Sequence, residues 1–293
     1  MYYRRKILLA LIESFGGRLQ RTDCIKLLFL FCKKSGKQFY DFFPYYYGGF
    51  SFVAYQDKAR LETLGLLAPK HEFYLTTRES FIGQLKEEDR IQLSGFTETW
   101  KEHLGKELVR EAYLQYPYYA IRSKIADEVL TSKELGQIYQ TYKPNEKTCL
   151  FSIGYEGKSI DGFLDDLIRN NIKSLIDVRK TPRSMKVGFS KTKLSQYLEK
   201  AGIQYLHYPE LGIPCELRKF LKSNEDYQKL FKRYDLEILP LQTKALESVL
   251  NHLATKKRIA LMCFEADPNH CHRSRILRHL THAMDLKSRI EHV

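Results

Sequence analysis

Apolar positions along this chain follow two different rhythms. In the first half they recur three and four residues apart, the spacing of a buried helix face. Arg5 to Ser14 has this pattern and stops at Gly16-Gly17. Asp23 to Lys34 repeats it, with Ile25, Leu27, Leu28, Leu30 and Phe31 facing a core and Thr22 available as a cap. A third helix from Asp57 is closed by Gly65 and followed by the strand-like stretch Phe73–Thr76. Helix, helix, then helix–glycine–strand is the order of a winged helix-turn-helix. Residues 84–140 predict two or three further helices.

The rhythm changes after the polar stretch Thr141–Lys147, which contains Pro144. Short apolar runs at 149–153, 172–178, 203–208 and 258–263 now alternate with helical stretches. The helices are expected at 159–170, with Ser159 as cap, at 190–201, ended by Gly202, across 216–255, and at 272–284. Continuous apolar strands separated by helices predict a mostly parallel sheet with helices on both faces. The expected architecture is therefore α/β and Rossmann-like, preceded by a mainly helical, winged-helix-like domain. Its boundaries are 1–143 for the first domain and 148–293 for the second.

Composition narrows the class. Hydrophobic residues make up 43% of the 293 positions and charged residues 28%, which excludes a disordered chain. The longest apolar run, Ile25–Cys32, is too short to span a membrane. The basic N-terminal stretch lacks a small-residue cleavage site and reads as the first helix of a soluble protein. Six scattered cysteines, at 24, 32, 149, 215, 263 and 271, form no CxxC pair, so a zinc ribbon is excluded. A reducing cytoplasm fits them. The net charge of +13, from 48 basic and 35 acidic residues, points to an anionic partner such as nucleic acid or a nucleotide. The aromatic block between Phe39 and Phe50 reads as core or protein interface, the alternative being a stacking surface. The first domain can thus also receive a protein partner or a second copy of the chain.

In a parallel sheet the loops after the strands gather at one edge, where open α/β sheets bind ligands. Four such loops carry most of the reactive side chains. The first is Gly154-Tyr155-Glu156-Gly157, whose glycines allow a backbone to approach a ligand closely. Glu156 is a candidate base or ribose contact, and otherwise a turn cap. The second begins at Asp177, a candidate general base that can equally orient Arg179. It continues into Arg179, Lys180, Arg183, Ser184, Lys186, Lys191 and Lys193, a basic strip without an acid and a candidate phosphate or nucleic-acid contact. The third holds Tyr208, which, like Tyr155, can stack on a base or pack in the core. The fourth runs from Cys263 through Glu265, His270, Cys271 and His272 to Arg273 and Ser274 at the start of a helix. Such a helix start favours anions and lowers a nearby thiol's pKa. Cys263 and Cys271 are candidate nucleophiles, Glu265 a catalytic carboxylate, His272 an acid/base group, and Arg273 a phosphate contact. The layout resembles the Cys-loop of rhodaneses and cysteine phosphatases, but nine residues separate Cys263 from Arg273, more than those loops hold. A metal or haem reading uses His270, Cys271 and His272, with His279 and His282 nearby, although the spacing matches no standard zinc pattern.

At these residues the chain resembles the family catalogued as domain of unknown function 488, over about residues 149–285. The motifs are IGYEG (153–157), DVRKTPRS (177–184), GFS (188–190), YPELG (208–212) and CFEADPNHCHRS (263–274). Ile213 departs from the family's pattern, where a second glycine is expected. The resemblance implies the α/β fold and the site, and names no reaction and no cofactor. The first half is similar to the Panacea-type domain linked to bacterial antitoxins, through KLLFLF (26–31), the tyrosines and glycine at 45–48, and ETLGLL (62–67). That resemblance implies a prokaryotic protein of genome conflict or antiviral defence.

The expected function is that of an enzyme processing a nucleotide or nucleic acid, with its phosphate-bearing ligand at the C-terminal edge of the sheet. The alternatives are a non-enzymatic, antitoxin-like DNA-binding or nucleotide-sensing regulator, and a metal or haem protein built on the cluster 263–282.

Overall fold

A computed structural model of the chain describes residues 1–218, 221, 223–284 and 289–293. The chain forms two compact units, Met1–Lys143 and Pro144–Val293. No helix among the described residues is long and apolar enough to cross a membrane.

The first unit is mainly helical. Helix α1 (Tyr3–Ser14) leads through β1 (Arg18–Leu19) to α2 (Arg21–Ser35). A hairpin of β2 (Phe43–Tyr45) and β3 (Gly48–Phe50) follows, then α3 (Phe52–Thr63) and β4 (Phe73–Tyr74). Four helices complete it: α4 (Glu87–Trp100), α5 (Lys106–Gln115), α6 (Ala126–Val129) and α7 (Ser132–Thr141). Strand β1 pairs antiparallel with β4, and Leu67 bridges to Leu75. Every residue of α2 from Asp23 to Cys32 is buried, because α1, α4, α5 and β3 surround the helix. Lys26 is buried with them, and its Nζ donates to the Gly49 carbonyl at 3.0 Å. Part of the aromatic block is core: Tyr40, Phe42 and Phe43 are buried, Phe39, Tyr45 and Phe50 are half-buried, and Phe42 meets Phe29 edge-on at 5.2 Å. Tyr46 and Tyr47 at the hairpin tip stay exposed. Helix α3 starts five residues before Asp57, at Phe52, because the Ser51 side chain caps it by accepting the Ala54 N–H at 3.1 Å. Asp57 then falls inside the unit and ties α1 to α3, accepting from Arg4 and Arg5 at 2.6 Å each.

The second unit is an α/β fold around a five-stranded parallel sheet. Its elements are β5 (Cys149–Gly154), α8 (Ile160–Arg169), β6 (Ser174–Asp177), α9 (Lys191–Lys200), β7 (Gln204–His207), α10 (Asn224–Arg233), α11 (Thr243–Lys256), β8 (Arg258–Cys263), α12 (Arg273–Met284) and β9 (Arg289–His292). The strand order is β7-β6-β8-β5-β9, and every pairing is parallel. Strands β5 and β8 are buried at every position, as strands covered by helices on both faces must be. Ser159 caps α8, accepting the Gly162 N–H at 3.0 Å. The stretch expected as one helical connection over 216–255 is broken: α10 passes through a π-turn at Tyr234–Ile238 and a short turn before α11. Strand β9 was not expected. Its Arg-Ile-Glu-His sequence sits at the sheet edge, where one apolar residue, Ile290, is enough to join the core.

Candidate active site

The strand register brings the predicted loops together. Gly154 lies beside Cys263, and Asp177 lies between Met262 and His207. The loop after β5 closes on the loop after β8. Tyr155 and Glu156 donate their N–H groups to the Phe264 carbonyl at 3.2 and 2.9 Å. The Ala266 N–H returns a bond to the Glu156 carboxylate at 2.9 Å. This contact requires a glycine at 154, since a Cβ there would stand 1.9 Å from the Glu265 carbonyl oxygen. Glu156 is therefore a link between loops, at an exposed position.

Asp177 is fully buried at the end of β6. One carboxylate oxygen accepts the Arg179 N–H and Nε at 3.1 and 2.8 Å. The other accepts Arg179 Nη2 at 2.6 Å and the Tyr205 hydroxyl at 2.7 Å. The remaining guanidinium nitrogen, Nη1, donates to the Tyr155 hydroxyl at 2.9 Å and the Phe189 carbonyl at 3.0 Å. Burial opposes the charge on Arg179, but the hydrogen bonds and charge of Asp177 outweigh it and raise its pKa. Burial, then the charge of Asp177, raises the Tyr205 hydroxyl. Asp177 thus orients Arg179, and Arg179 organises the loop instead of facing an opening. Tyr155 belongs to the same framework: it is buried and stacks on Phe189 at 4.3 Å.

Arg273 behaves likewise. Its Nε donates to Ser152 Oγ on β5 at 2.7 Å, and its two Nη atoms donate to the carbonyls of Glu265 and Ala266 at 2.5 and 2.9 Å. With 1% of its surface exposed, it clamps the loop after β8 onto the sheet and does not point outward from the helix start. Ser274 caps inward as well, its hydroxyl donating to the Cys271 carbonyl at 2.9 Å. Ser184 accepts the Lys186 N–H at 3.1 Å.

Behind this clamp lies a cluster of four reactive groups. Cys263, Cys271 and His272 are each 1% exposed. Both sulfurs lie 3.8 Å from His272 Nδ1. The other ring nitrogen, Nε2, lies 3.0 Å from the Val178 carbonyl. A carbonyl only accepts, so Nε2 carries a proton there, and Nδ1 is the ring atom that meets the sulfurs. The Glu265 carboxyl lies beside both sulfurs. A hydrogen bond from Cys271 and, secondarily, the His272 imidazole outweigh burial and hold the Cys263 thiol well below its ordinary pKa. Burial and the charge of Cys263 push Glu265 up, and burial pushes Cys271 well up. Tyr234, whose hydroxyl donates to the Leu211 carbonyl at 2.6 Å, sets its ring edge-on to His272 at 5.8 Å.

The surface beside this cluster is basic. Lys180, Arg183, Lys191 and Lys193 are exposed, and Lys186 is half-buried with its Nζ donating to the Tyr155 carbonyl at 2.8 Å. Gly157 is exposed with a φ of 76°. Tyr208 is half-buried and lines a cleft of about 430 Å³ together with Glu210, Leu241 and Lys244. Two of the three histidine and cysteine positions first considered for a metal, Cys271 and His272, are in the cluster. His270 is exposed and faces Asp267 at 3.4 Å, so it stands apart. His279 is half-buried on α12 outside the cluster, and the His282 side chain lies outside the described residues. Sequence reasoning passed over Ser152, Tyr205 and Tyr234. Tyr205 had a signal: it is two residues from His207 on β7, and His207 Nε2 also reaches the second loop, at the Arg179 carbonyl 2.9 Å away. Tyr234 had none, since a π-turn aims it.

No curated protein and no solved structure matches the chain. Residues 159–280, from the start of α8 to the body of α12, match the family described as Domain of unknown function DUF488.

Proposed function

We propose that the C-terminal unit is an enzyme that processes a nucleotide or nucleic acid at the C-terminal edge of its sheet. The observation that carries this reading is the meeting of Cys263, Cys271, His272 and Glu265 at the end of β8, where a parallel sheet receives its ligands. The chemistry belongs to this cluster. The phosphate groups belong to Lys180, Arg183, Lys191 and Lys193, the exposed cations of the second loop. Arg179 and Arg273 hold the two loops in place. The N-terminal unit is a recognition module of winged-helix type, a reading supported by the antiparallel pairing of β1, between α1 and α2, with β4 after α3, and by the Leu67–Leu75 bridge.

The test follows conversion of a panel of nucleoside phosphates and short single-stranded oligonucleotides by mass spectrometry. Turnover is expected in the wild type, and its loss with retained binding in Cys263→Ser and Glu265→Gln. Arg183→Glu combined with Lys191→Glu is expected to weaken binding while leaving the cluster intact. Full activity in both Cys263→Ser and Glu265→Gln overturns the assignment. The exposed basic strip favours a second reading, a nucleic-acid-binding regulator without turnover. It predicts binding whose logarithm falls with log salt by about 0.7–0.9 per phosphate contact, and no chemical product.

A further inference from the structure

We propose that Cys263, Cys271 and His272 are the protein ligands of a zinc-type divalent metal ion, with Glu265 beside its fourth coordination position. The inference deepens the reading above and rests on it for what the metal does. Its geometry stands independently.

Three donors converge. The two sulfurs and Nδ1 of His272 lie within 4.8 Å of one another, the one such group of three among the described residues. Zinc bonds sulfur at about 2.3 Å and imidazole nitrogen at about 2.0–2.1 Å, so tetrahedral geometry separates the S and N donors by about 3.5 Å. Here both separations are 3.8 Å. Closing a few tenths of an ångström brings both to the zinc value.

The histidine is held as metal-ligating histidines are. Its Nε2–H is given to the Val178 carbonyl at 3.0 Å, which fixes the tautomer and aims Nδ1 at the sulfurs. Tyr234 packs edge-on against the ring at 5.8 Å. A metal ion satisfies all three donors at once.

The donor set also selects the ion. Two sulfurs and an imidazole suit zinc, whereas magnesium and calcium require oxygen. Two thiolates balance the charge of one divalent ion, so the site can be buried at 1% exposure without an unpaired charge. On loading, both sulfurs bind as thiolates, and any proton they still carry passes to solvent. Two Zn–S bonds and one Zn–N bond form with no change in oxidation state. A site with three protein ligands retains a position for water or substrate, and Glu265 is placed to exchange a proton there.

The experiment uses the full chain, purified with a reductant and without chelator, and measures metal by plasma mass spectrometry and native mass spectrometry. The expected result is one zinc per chain. Replacement by Co2+ should give thiolate charge-transfer bands and the visible bands of a tetrahedral site. Cys263→Ser, Cys271→Ser and His272→Ala should each lower zinc affinity by at least about tenfold, whereas Glu265→Gln should keep the metal. If a variant fails to fold by circular dichroism, a mercurial titration of the wild type answers instead: zinc release should track the modification of two thiols. Three results overturn the proposal: a reduced wild-type chain that takes up no zinc, zinc bound equally by all folded variants, or a Cys263–Cys271 disulfide in the isolated protein. Turnover by a metal-free chain would overturn the metal site and leave the enzyme reading standing. Zinc bound tightly with no turnover on any nucleotide would do the reverse.

Discussion

Arg179 is bound by Asp177 through both carboxylate oxygens, at 2.8 and 2.6 Å, although only two positions separate them along the chain. The pair sits under the loop that carries the exposed cations, and it is sealed from solvent. Asp177→Ala would leave a buried guanidinium and the Tyr205 hydroxyl without their acceptor. Breaking one side of such a pair costs about 3–5 kcal/mol. Urea unfolding should show a loss of that order, and the double variant Asp177→Leu, Arg179→Met should show a clearly smaller one. Equal losses would mean that packing, not the stranded charge, sets the cost.

Arg273 makes a different prediction, because its partners are backbone carbonyls. It holds Glu265 and Ala266 against the sheet while Nε reaches Ser152. Arg273→Lys keeps the charge but cannot span three acceptors in one plane. Hydrogen exchange of residues 264–271 should accelerate in Arg273→Lys, while the amides of β5 and β8 keep their protection. Unchanged exchange in that loop would remove Arg273 from its role as a clamp.

Arg273 marks where sequence reading stops. The sheet was legible because β5 and β8 are buried on both faces and read as mostly apolar runs, and Ser159 announced the helix after β5. The gathering of reactive residues after the strands followed from topology alone. The direction of a side chain did not. Arg273 stands at a helix start, where an outward, anion-facing pose is the natural expectation, but its Nε partner Ser152 is 121 positions away. No local pattern encodes that contact. The same holds for His272 and the Val178 carbonyl, 94 positions apart, which together aim Nδ1 at the sulfurs. Conversely, Asp177 and Arg179 are neighbours, and their pairing was open to view in the sequence as one of two roles.

Gly154 tests how tightly the first and last loops depend on each other. A Cβ at this position would lie 1.9 Å from the Glu265 carbonyl oxygen and 2.7 Å from its carbon, both backbone atoms. Gly154→Ala must therefore push the loop after β8 away from β5, at an overpacking cost of about 1–3 kcal/mol. Thermal unfolding should fall accordingly, and the Arg273 clamp should loosen with it, seen as faster exchange at residues 264–271. A variant as stable as the wild type with unchanged exchange would show that the loops do not need this approach.

Lys26 gives the first unit a pH dependence. Its amine is fully buried within α2, and burial lowers its pKa from 10.5 to about 7. Below pH 7 both the folded and unfolded chains carry the proton, and the folded chain bears the full cost of a buried charge. Between pH 7 and the unfolded value of 10.5 the unfolded chain holds a proton that the folded chain has released. Stability from this residue therefore rises with pH across that window, by about 1.4 kcal/mol per unit at most. Cys24 and Cys32 act in the opposite direction at higher pH, since burial raises both thiols. The measurement is thus a difference: unfolding free energy of the wild type minus that of Lys26→Met, compared at pH 6.5, 7.5 and 8.5. The wild type should gain on the variant as pH rises through this range, and Lys26→Met should be the more stable protein at pH 6.5. A difference that stays flat with pH would mean that the Gly49 carbonyl, 3.0 Å from Nζ, is enough to keep the ammonium charged in the folded chain.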